Sequence, residues 1–396
     1  MLLRNVHIAN QNEVSDIHLS GEKIFSVVKA DNEIGEEHTI AFTNAVAIPG
    51  LINSHDHLDF NLFPQLGDVV YDNYQEWAEH IHSVYKKEID EVLQIPQALR
   101  AEWGLYKNLL CGVTTVVDHG VEHSFDHPVI GVFQHCQSLH SVAFEKNWRM
   151  KLNNISNLQK PVVIHAGEGI DASAYDEIKT LLSNNYIKRK IVAVHGIAMT
   201  SMQATKFKAL VWCPASNYFM FGQTANISQL KKLTPVLFGS DSTLTAGWDI
   251  WKHIQIARKD GSLTDKELFE SLTSAPAEVW KMKELGKISE NQQADIVIAD
   301  KGDNEGWDAV LSITPEMILL VIKRGEIQLF DESLLQQIDE QHISLNDFKQ
   351  ISVNGAIKYV RGNIHQLINN IRSYHSQAIL PVEIVQTKSP SYVHTH

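Results

Sequence analysis

Between residues 51 and 286 the chain alternates continuous apolar runs with segments that have helical spacing. Continuous apolar strands that alternate with helices are typical of a parallel sheet buried on both faces. An eight-stranded barrel is the simplest closed arrangement of such units. We therefore predict an α/β fold with a (β/α)8 TIM-like barrel over residues 51–286. The predicted strands are 46–52, 113–117, 141–144, 162–164, 191–194, 210–213 and 235–239.

The two ends of the chain have a different pattern. Residues 1–50 and 287–335 contain short strand-like runs separated by turns, which is typical of hairpins. We predict that they build one small β-sandwich domain from both chain ends. Residues 336–396 are more polar and are predicted to form a helical C-terminal extension and tail, in which His394 and His396 are disordered rather than metal ligands.

Composition limits the class of protein and its partners. The net charge of −13 argues against a nucleic-acid surface, which needs clustered lysine and arginine. No apolar run approaches the roughly 20 residues of a membrane span, and the apolar start is too short for a secretory signal. The three cysteines are far apart and odd in number, so we expect reduced thiols and a cytoplasmic protein.

Residues that can bind a metal follow four of the predicted strands. His55 and His57 are two apart after an apolar run, so they point to the same face of a strand. His165, His195 and Asp241 each follow a further apolar run. A single residue of this kind is more often a rim residue or a helix cap. Because the carboxyl ends of barrel strands meet at one rim, four together predict a metal site.

Several longer motifs surround these residues. The run 49–57 reads PGLINSHDH, the run 112–119 reads GVTTVVDH, and His165 is followed three residues later by Glu168. The run 213–217 reads CPASN and is followed by GSDS at 239–242. These motifs resemble the amidohydrolase superfamily over residues 1 to about 335. They resemble in particular its deaminase branch, which includes guanine, cytosine and S-adenosylhomocysteine deaminases and chlorotriazine hydrolases.

The resemblance implies a ligand set and three catalytic roles. His55, His57, His165 and Asp241 would hold one divalent metal ion, zinc by preference, with iron or manganese as alternatives. Asp241 would also accept a proton from the attacking water. Glu168 would carry a proton to a ring nitrogen, and His195 would hydrogen-bond the water or the oxyanion.

Three further residues are predicted near the substrate. Asn217 either contacts the substrate or ties down the loop that follows its strand. His119 lies near another strand end and can face the pocket. Trp77 follows the first strand in a helical segment, where it either walls the pocket or packs in the core.

We therefore predict a metal-dependent hydrolase that deaminates a small N-heterocyclic molecule. The first alternative is a binuclear cyclic amidohydrolase of the dihydropyrimidinase or hydantoinase type. Such enzymes use a carboxylated lysine at the fourth strand end, for which Lys146 is the candidate. The remote alternative is a non-catalytic barrel that serves as a scaffold. Similar proteins are commonly dimers, so a homodimer is expected, with no nucleic acid or membrane partner.

Overall fold

The computed structural model describes residues 1–9, 11, 13–30 and 38–385; His394 and His396 lie outside this part of the chain. The strands are β1 (Leu2–Ile8), β2 (Val14–Ser20), β3 (Lys23–Lys29), β4 (Thr39–Pro49), β5 (Leu51–Asp56), β6 (Val113–Asp118), β7 (Gly131–Phe133), β8 (Gln137–Leu139), β9 (Val162–Ala166), β10 (Ile191–His195), β11 (Ala209–Trp212), β12 (Val236–Phe238), β13 (Ile296–Asp300), β14 (Ile318–Lys323), β15 (Glu326–Asp331), β16 (Phe348–Val353), β17 (Ala356–Arg361) and β18 (Val382–Ile384).

The helices alternate with the strands in the middle of the chain. They are α1 (Tyr74–Val84), α2 (Lys86–Leu93), α3 (Gln97–Leu109), α4 (Trp148–Leu152), α5 (Ala172–Ser183), α6 (Ser201–Ala204), α7 (Pro214–Phe221), α8 (Ile227–Leu230), α9 (Ile250–Asp260), α10 (Asp265–Glu270), α11 (Ser274–Val279), α12 (Gly306–Leu311), α13 (Leu335–Glu340) and α14 (Ile364–Tyr374). Across the described ranges, none of them has the length and apolar character needed to cross a bilayer.

Strands β5 to β12 form the parallel part of the fold. They are arranged in chain order as a three-stranded sheet, β5 to β7, and a five-stranded sheet, β8 to β12. Every residue of β5, β6, β9 and β10 is buried, as expected for strands covered on both faces. The ladders are interrupted between β7 and β8 and between β12 and β5. At the second interruption the backbone N–H of Asp241 still donates to the His55 carbonyl at 3.1 Å. The α/β class with a parallel sheet is confirmed.

The fourth parallel strand lies earlier than the sequence predicted. Residues 141–144 form a turn, in which the Ser141 hydroxyl accepts from the Phe144 N–H at 3.1 Å. The strand itself is β8, which is short and carries only one apolar residue, Leu139. The prediction of a strand at 141–144 is therefore wrong, and His140 occupies the end of the fourth strand.

Both chain ends contribute to one ten-stranded sheet. Its order is β18-β16-β17-β15-β14-β13-β4-β1-β2-β3, and β4 pairs antiparallel with β13. Side chains of β4 alternate between two cores: Val46 and Ile48 pack toward the parallel strands, whereas Ala45 and Ala47 pack in the core of the end strands. The sheet therefore shares a core with the parallel strands through one of its faces.

The C-terminal extension is only partly helical. The predicted helix is present as α14, but β16, β17 and β18 add three strands to the large sheet. Asn354 and Gly355 both have positive φ angles, 49° and 89°, which suits a tight hairpin turn between β16 and β17. The prediction of a helical extension is wrong for these three strands, because this turn and the buried Ile351 and Val353 favour a hairpin.

Gly104 lets α3 approach the backbone that follows His57. A Cβ at this position would lie 2.3 Å from the Leu58 carbonyl oxygen. Alanine would gain about 1 kcal/mol of helix propensity, but overpacking against backbone costs about 1–3 kcal/mol. We expect Gly104→Ala to lower the free energy of unfolding by about 1 kcal/mol in urea denaturation. An increase in the free energy of unfolding would contradict this prediction, because it would show that the Leu58 backbone can move away from the added methyl group.

Candidate active site

A cluster of buried histidines lies at the carboxyl ends of the parallel strands. Nε2 of His55 and Nε2 of His165 are 3.2 Å apart. Nε2 of His55 and Nε2 of His57 each lie 3.9 Å from Oδ1 of Asp241. Zinc–nitrogen bonds of about 2.0–2.1 Å place tetrahedral ligands about 3.3 Å apart. The donor atoms are therefore spaced as the ligands of one metal ion.

His195 also belongs to this cluster. Its ligand atom lies within 4.8 Å of those of His55 and His165, and the atoms of His55, His57 and Asp241 form a second such group. Five donors therefore converge where the sequence predicted four ligands and one hydrogen-bonding histidine. The chemistry of the set, imidazoles with one carboxylate, fits a divalent metal ion.

Burial favours the neutral form of three of these imidazoles. It lowers the pKa of His55, His165 and His195, and the neighbouring histidines lower the pKa of His55 further through charge repulsion. A neutral imidazole keeps a lone pair on one nitrogen, which is the form that binds metal. The site is therefore prepared to bind a cation without first losing protons.

Asp241 is held rigidly. Its Oδ2 accepts from the hydroxyls of Ser216 at 2.7 Å and Thr245 at 3.0 Å, while Oδ1 accepts from the Ser242 N–H at 2.8 Å. Burial alone would raise the pKa of Asp241, but His195, His57 and the Ser216 hydroxyl outweigh it and lower that pKa below its usual value. Asp241 is therefore a carboxylate whose Oδ1 faces the histidines.

Two site residues have a strained backbone. His195 has φ of 70° and Asp241 has φ of 56°, in the left-handed region that side chains other than glycine rarely adopt. Each such conformation costs about 1 kcal/mol or more and persists only where surrounding contacts enforce it. Here the strain turns both side chains toward the same centre.

The orientation of His195 is set by a chain of hydrogen bonds. The indole N–H of Trp212 donates to Oγ1 of Thr224 at 2.7 Å, and Nδ2 of Asn217 donates to the same oxygen at 3.0 Å. Oδ1 of Asn217 therefore faces Nδ1 of His195, at 2.8 Å, and accepts a hydrogen bond from its N–H. In the neutral ring this leaves the lone pair of Nε2 directed into the site.

Glu168 lies next to the histidine cluster and is 6% exposed. Its Oε1 is 3.5 Å from Nε2 of His195. Burial raises its pKa well above the usual value, and the charges of Asp241 and Glu177 raise it further. The Glu168 loop is fixed to the start of α1, because the Tyr74 N–H donates to the Glu168 carbonyl at 3.2 Å. Glu168 can therefore hold a proton that an exposed glutamate would lose.

A polar network beneath the site supports the segment that carries His55 and His57. At its centre is Asp56, which is fully buried between the two histidines. Oδ2 of Asp56 accepts from Nζ of Lys107 at 2.9 Å and from Nδ2 of Asn108 at 2.7 Å. Its Oδ1 accepts from Nδ2 of Asn61 at 2.7 Å. This network holds the backbone of both metal-ligand candidates.

A pocket of about 320 Å³ opens onto the cluster. Its polar end includes His57, His165, His195, Glu168 and Asp241. The rest of the lining forms a mostly apolar wall, which comes mainly from α1, α2 and the segment after β5. Trp77 is one of the residues of this wall.

His119 and Asn217 lie behind the pocket rather than in it. His119 is 2% exposed, stacks on His165 with ring centroids 4.6 Å apart, and its Nε2 contacts the Leu139 carbonyl. Asn217 is fully buried and positions His195. Neither is among the residues that line the pocket, so their positions favour supporting roles over substrate contact.

His140 is a pocket residue that sequence reasoning missed. Its ring centroid is 5.1 Å from that of His165, and burial lowers its pKa to about 4. The sequence offered only one indication of its position, a histidine directly after Leu139. Strand β8 itself is too short and too polar to be predicted from the sequence. Lys146, by contrast, is exposed in the following turn and does not line the pocket.

Comparisons with known proteins identify the family. The model of the amidohydrolase family matches residues 142–360, which is more than half of the chain. The chain therefore belongs to the amidohydrolase family and is a hydrolase that acts on carbon–nitrogen bonds other than peptide bonds. Among curated proteins no significant match was found.

Solved structures share the fold at low sequence identity. Atrazine chlorohydrolase TrzN from Arthrobacter aurescens TC1, complexed with zinc, has a TM-score of 0.67 and 16% identity over 94% of this chain and 99% of that one. An adenosine deaminase from Xanthomonas campestris with bound zinc has a TM-score of 0.70 and 14% identity over 95% of this chain and 98% of that one. The predicted resemblance to the deaminase and chlorotriazine hydrolase branch is confirmed.

Proposed function

We propose that this protein is a mononuclear metal-dependent hydrolase that removes the amino group of a small N-heterocyclic molecule. The observation that carries the proposal is the position of Glu168. It is a buried carboxyl group with a raised pKa, 3.5 Å from His195, in the same pocket as the ligand set His55, His57, His165 and Asp241. A proton carrier beside a metal site is what deamination of a ring requires.

The architecture that goes with this function is a (β/α)8 barrel. Strands β5 to β12 supply eight parallel strands in chain order, and the Asp241–His55 backbone hydrogen bond spans the gap between the last and the first. We propose that 51–286 is the barrel, that 1–50 with 287–335 is the β-sandwich, and that 336–396 is an extension. A small-molecule substrate, a homodimer and a cytoplasmic location stay predictions.

In the proposed mechanism the chain's own residues move the protons. A divalent metal ion, zinc by preference, would supply a Lewis acid that activates water. Oδ1 of Asp241 takes one proton from the attacking water, and the lone pair of Nε2 of His195 accepts a hydrogen bond from its remaining O–H. Glu168 protonates a ring nitrogen, which makes the ring carbon electrophilic. The carbon–oxygen bond forms, the proton held by Asp241 passes to the amino group, and the carbon–nitrogen bond breaks to release ammonia. The proton of the new hydroxyl group returns to Glu168, which restores the acid.

The structure offers less support for the binuclear alternative. A second metal would need a ligand at the end of the fourth strand, where the sequence offered Lys146. Lys146 is exposed in the turn after β8, while the strand end itself carries His140. The scaffold alternative predicts loss of a ligand or of Glu168, and all five residues are present in the pocket or directly behind it.

The test combines elemental analysis with an ammonia-release screen over aminopurines, pterins, cytosines and triazines. We expect one metal equivalent per chain and ammonia from at least one class. Two equivalents, turnover of hydantoins and no ammonia would contradict the deaminase proposal.

Metal removal is expected to destabilise the protein. A ligand at 100 times its dissociation constant adds about 2.7 kcal/mol to the folded state. We therefore expect the chelated protein to unfold at lower denaturant, and restored metal to reverse the shift. His165→Ala should not bind the metal, and its unfolding midpoint should not change when the metal is added or removed. The control is His127→Ala, whose side chain is 96% exposed and which should keep both.

A further inference from the structure

The pocket has a mostly apolar wall that begins beside the metal-ligand candidates, where Phe60 stacks on His57 with ring centroids 5.4 Å apart. Helix α1 contributes Ala78 and Ile81, and α2 contributes Ile89 and Leu93. The segment after β5 adds Phe60 and Phe63. We propose, building on the proposed function, that the substrate is an uncharged heterocycle whose ring carries a short apolar substituent, and that this substituent packs against this wall.

The wall contains two aromatic residues with polar ends, Tyr74 and Trp77, and both ends are already occupied; the imidazole of His82 in α1 is exposed to solvent. The indole N–H of Trp77 donates to the Leu66 carbonyl at 2.8 Å. The hydroxyl of Tyr74 donates to Oε1 of Glu177 at 2.7 Å. Both rings therefore present carbon to the pocket. A sugar or another polyhydroxylated group placed there would lose its hydrogen bonds to water without replacement.

The charges around the pocket exclude anionic substituents. Among the described residues that line it there is no lysine or arginine, while Glu168 and Asp241 are acidic. A carboxylate or phosphate on a substituent that packs against the apolar wall, away from the metal site, would lose hydration and meet no lysine or arginine there. The volume of about 320 Å³ suits one ring with short substituents and is at the small end for ligand pockets.

Three amino-1,3,5-triazines with the same leaving amino group test the wall. Their ring substituent is propyl, hydroxyethyl or carboxyethyl. We expect the propyl compound to bind at least about 10-fold more tightly than the carboxyethyl compound, with the hydroxyethyl compound between them. Binding is measured by calorimetry on metal-loaded Glu168→Gln protein, and ammonia release on the wild type.

The two readouts separate the two proposals. If the three compounds bind in the expected order but none of them releases ammonia, the deaminase function is contradicted and the apolar wall is supported. Equal binding, a preference for the carboxyethyl compound, or no binding of any of the three would overturn the wall proposal. Ammonia release together with the expected order of binding would support both the deaminase function and the apolar wall.

A charge placed at the pocket mouth gives an independent test. Leu93 lines the pocket yet is 52% exposed, so lysine is tolerated there. We expect Leu93→Lys to reverse the order by weakening the propyl compound and strengthening the carboxyethyl compound. The control is Val84→Lys at the end of α1, which is 57% exposed, does not line the pocket and should keep the wild-type order. An unchanged order in Leu93→Lys would overturn the proposal.

Discussion

Replacing Glu168 with glutamine is expected to remove most turnover while the metal stays bound. Glutamine has nearly the same shape, but it cannot carry a proton to a ring nitrogen. General acid–base catalysis of this kind contributes about 10²- to 10⁴-fold, so kcat should fall by about that factor. None of the predicted ligand atoms belongs to Glu168, so metal content should not change. Steady-state ammonia release and elemental analysis measure the two effects.

A matched control is available in the neighbouring carboxyl group. Glu177 accepts hydrogen bonds from the Tyr74 hydroxyl and the Gly167 N–H but does not line the pocket. In Glu177→Gln the amide oxygen can still accept from the Gly167 N–H and the amide nitrogen can donate to the Tyr74 hydroxyl, so kcat should stay within a few-fold of the wild type. Activity retained in Glu168→Gln would disprove the proton-carrying role. Loss of metal in that variant would instead assign Glu168 to the support of the ligands.

The metal-ligand candidates could be predicted because they depend on a local rule. In a parallel sheet each strand ends at the same edge, so a histidine or aspartate directly after an apolar run is placed by the run itself. His165 and Asp241 satisfy this rule, and the structure brings them together with His55 and His57. The predicted strand at 46–52 is divided between β4 and β5, and it is β5 that ends beside His57. The rule failed at β8, whose sequence Gln137-Ser138-Leu139 has too little apolar character, and with it His140 was missed.

Residues that act through other residues could not be placed in the same way. Asn217 was recognised in a motif, but only its distance of 2.8 Å to His195 shows that it orients an imidazole. Likewise, Lys107 appears in the sequence as an ordinary lysine in an amphipathic helix. Lys107 is buried because α3 packs beneath the strand ends. This tertiary packing cannot be predicted from the spacing of residues within the helix.

Removing the positive charge of Lys107 is expected to be the most destabilising single change proposed. Nζ of Lys107 lies 2.9 Å from Oδ2 of Asp56, and the two side chains are 2% and 0% exposed. Breaking a buried ion pair by removing one partner costs about 3–5 kcal/mol, because the remaining charge has neither water nor a counter-ion. Lys107→Met should therefore lower the free energy of unfolding by about that amount. Urea denaturation measures it.

The double variant distinguishes a charge effect from a packing effect. In Lys107→Met with Asp56→Asn no uncompensated charge remains, so the double variant should be more stable than the sum of the single losses predicts. The surface pair Lys86–Asp90 on α2 is the control, since both side chains are more than half exposed and Lys86→Met should change stability little. Strictly additive losses would show that Lys107 acts by packing alone. Because Asp56 lies between His55 and His57, Lys107→Met should also weaken metal binding, although Lys107 itself offers no ligand to the metal.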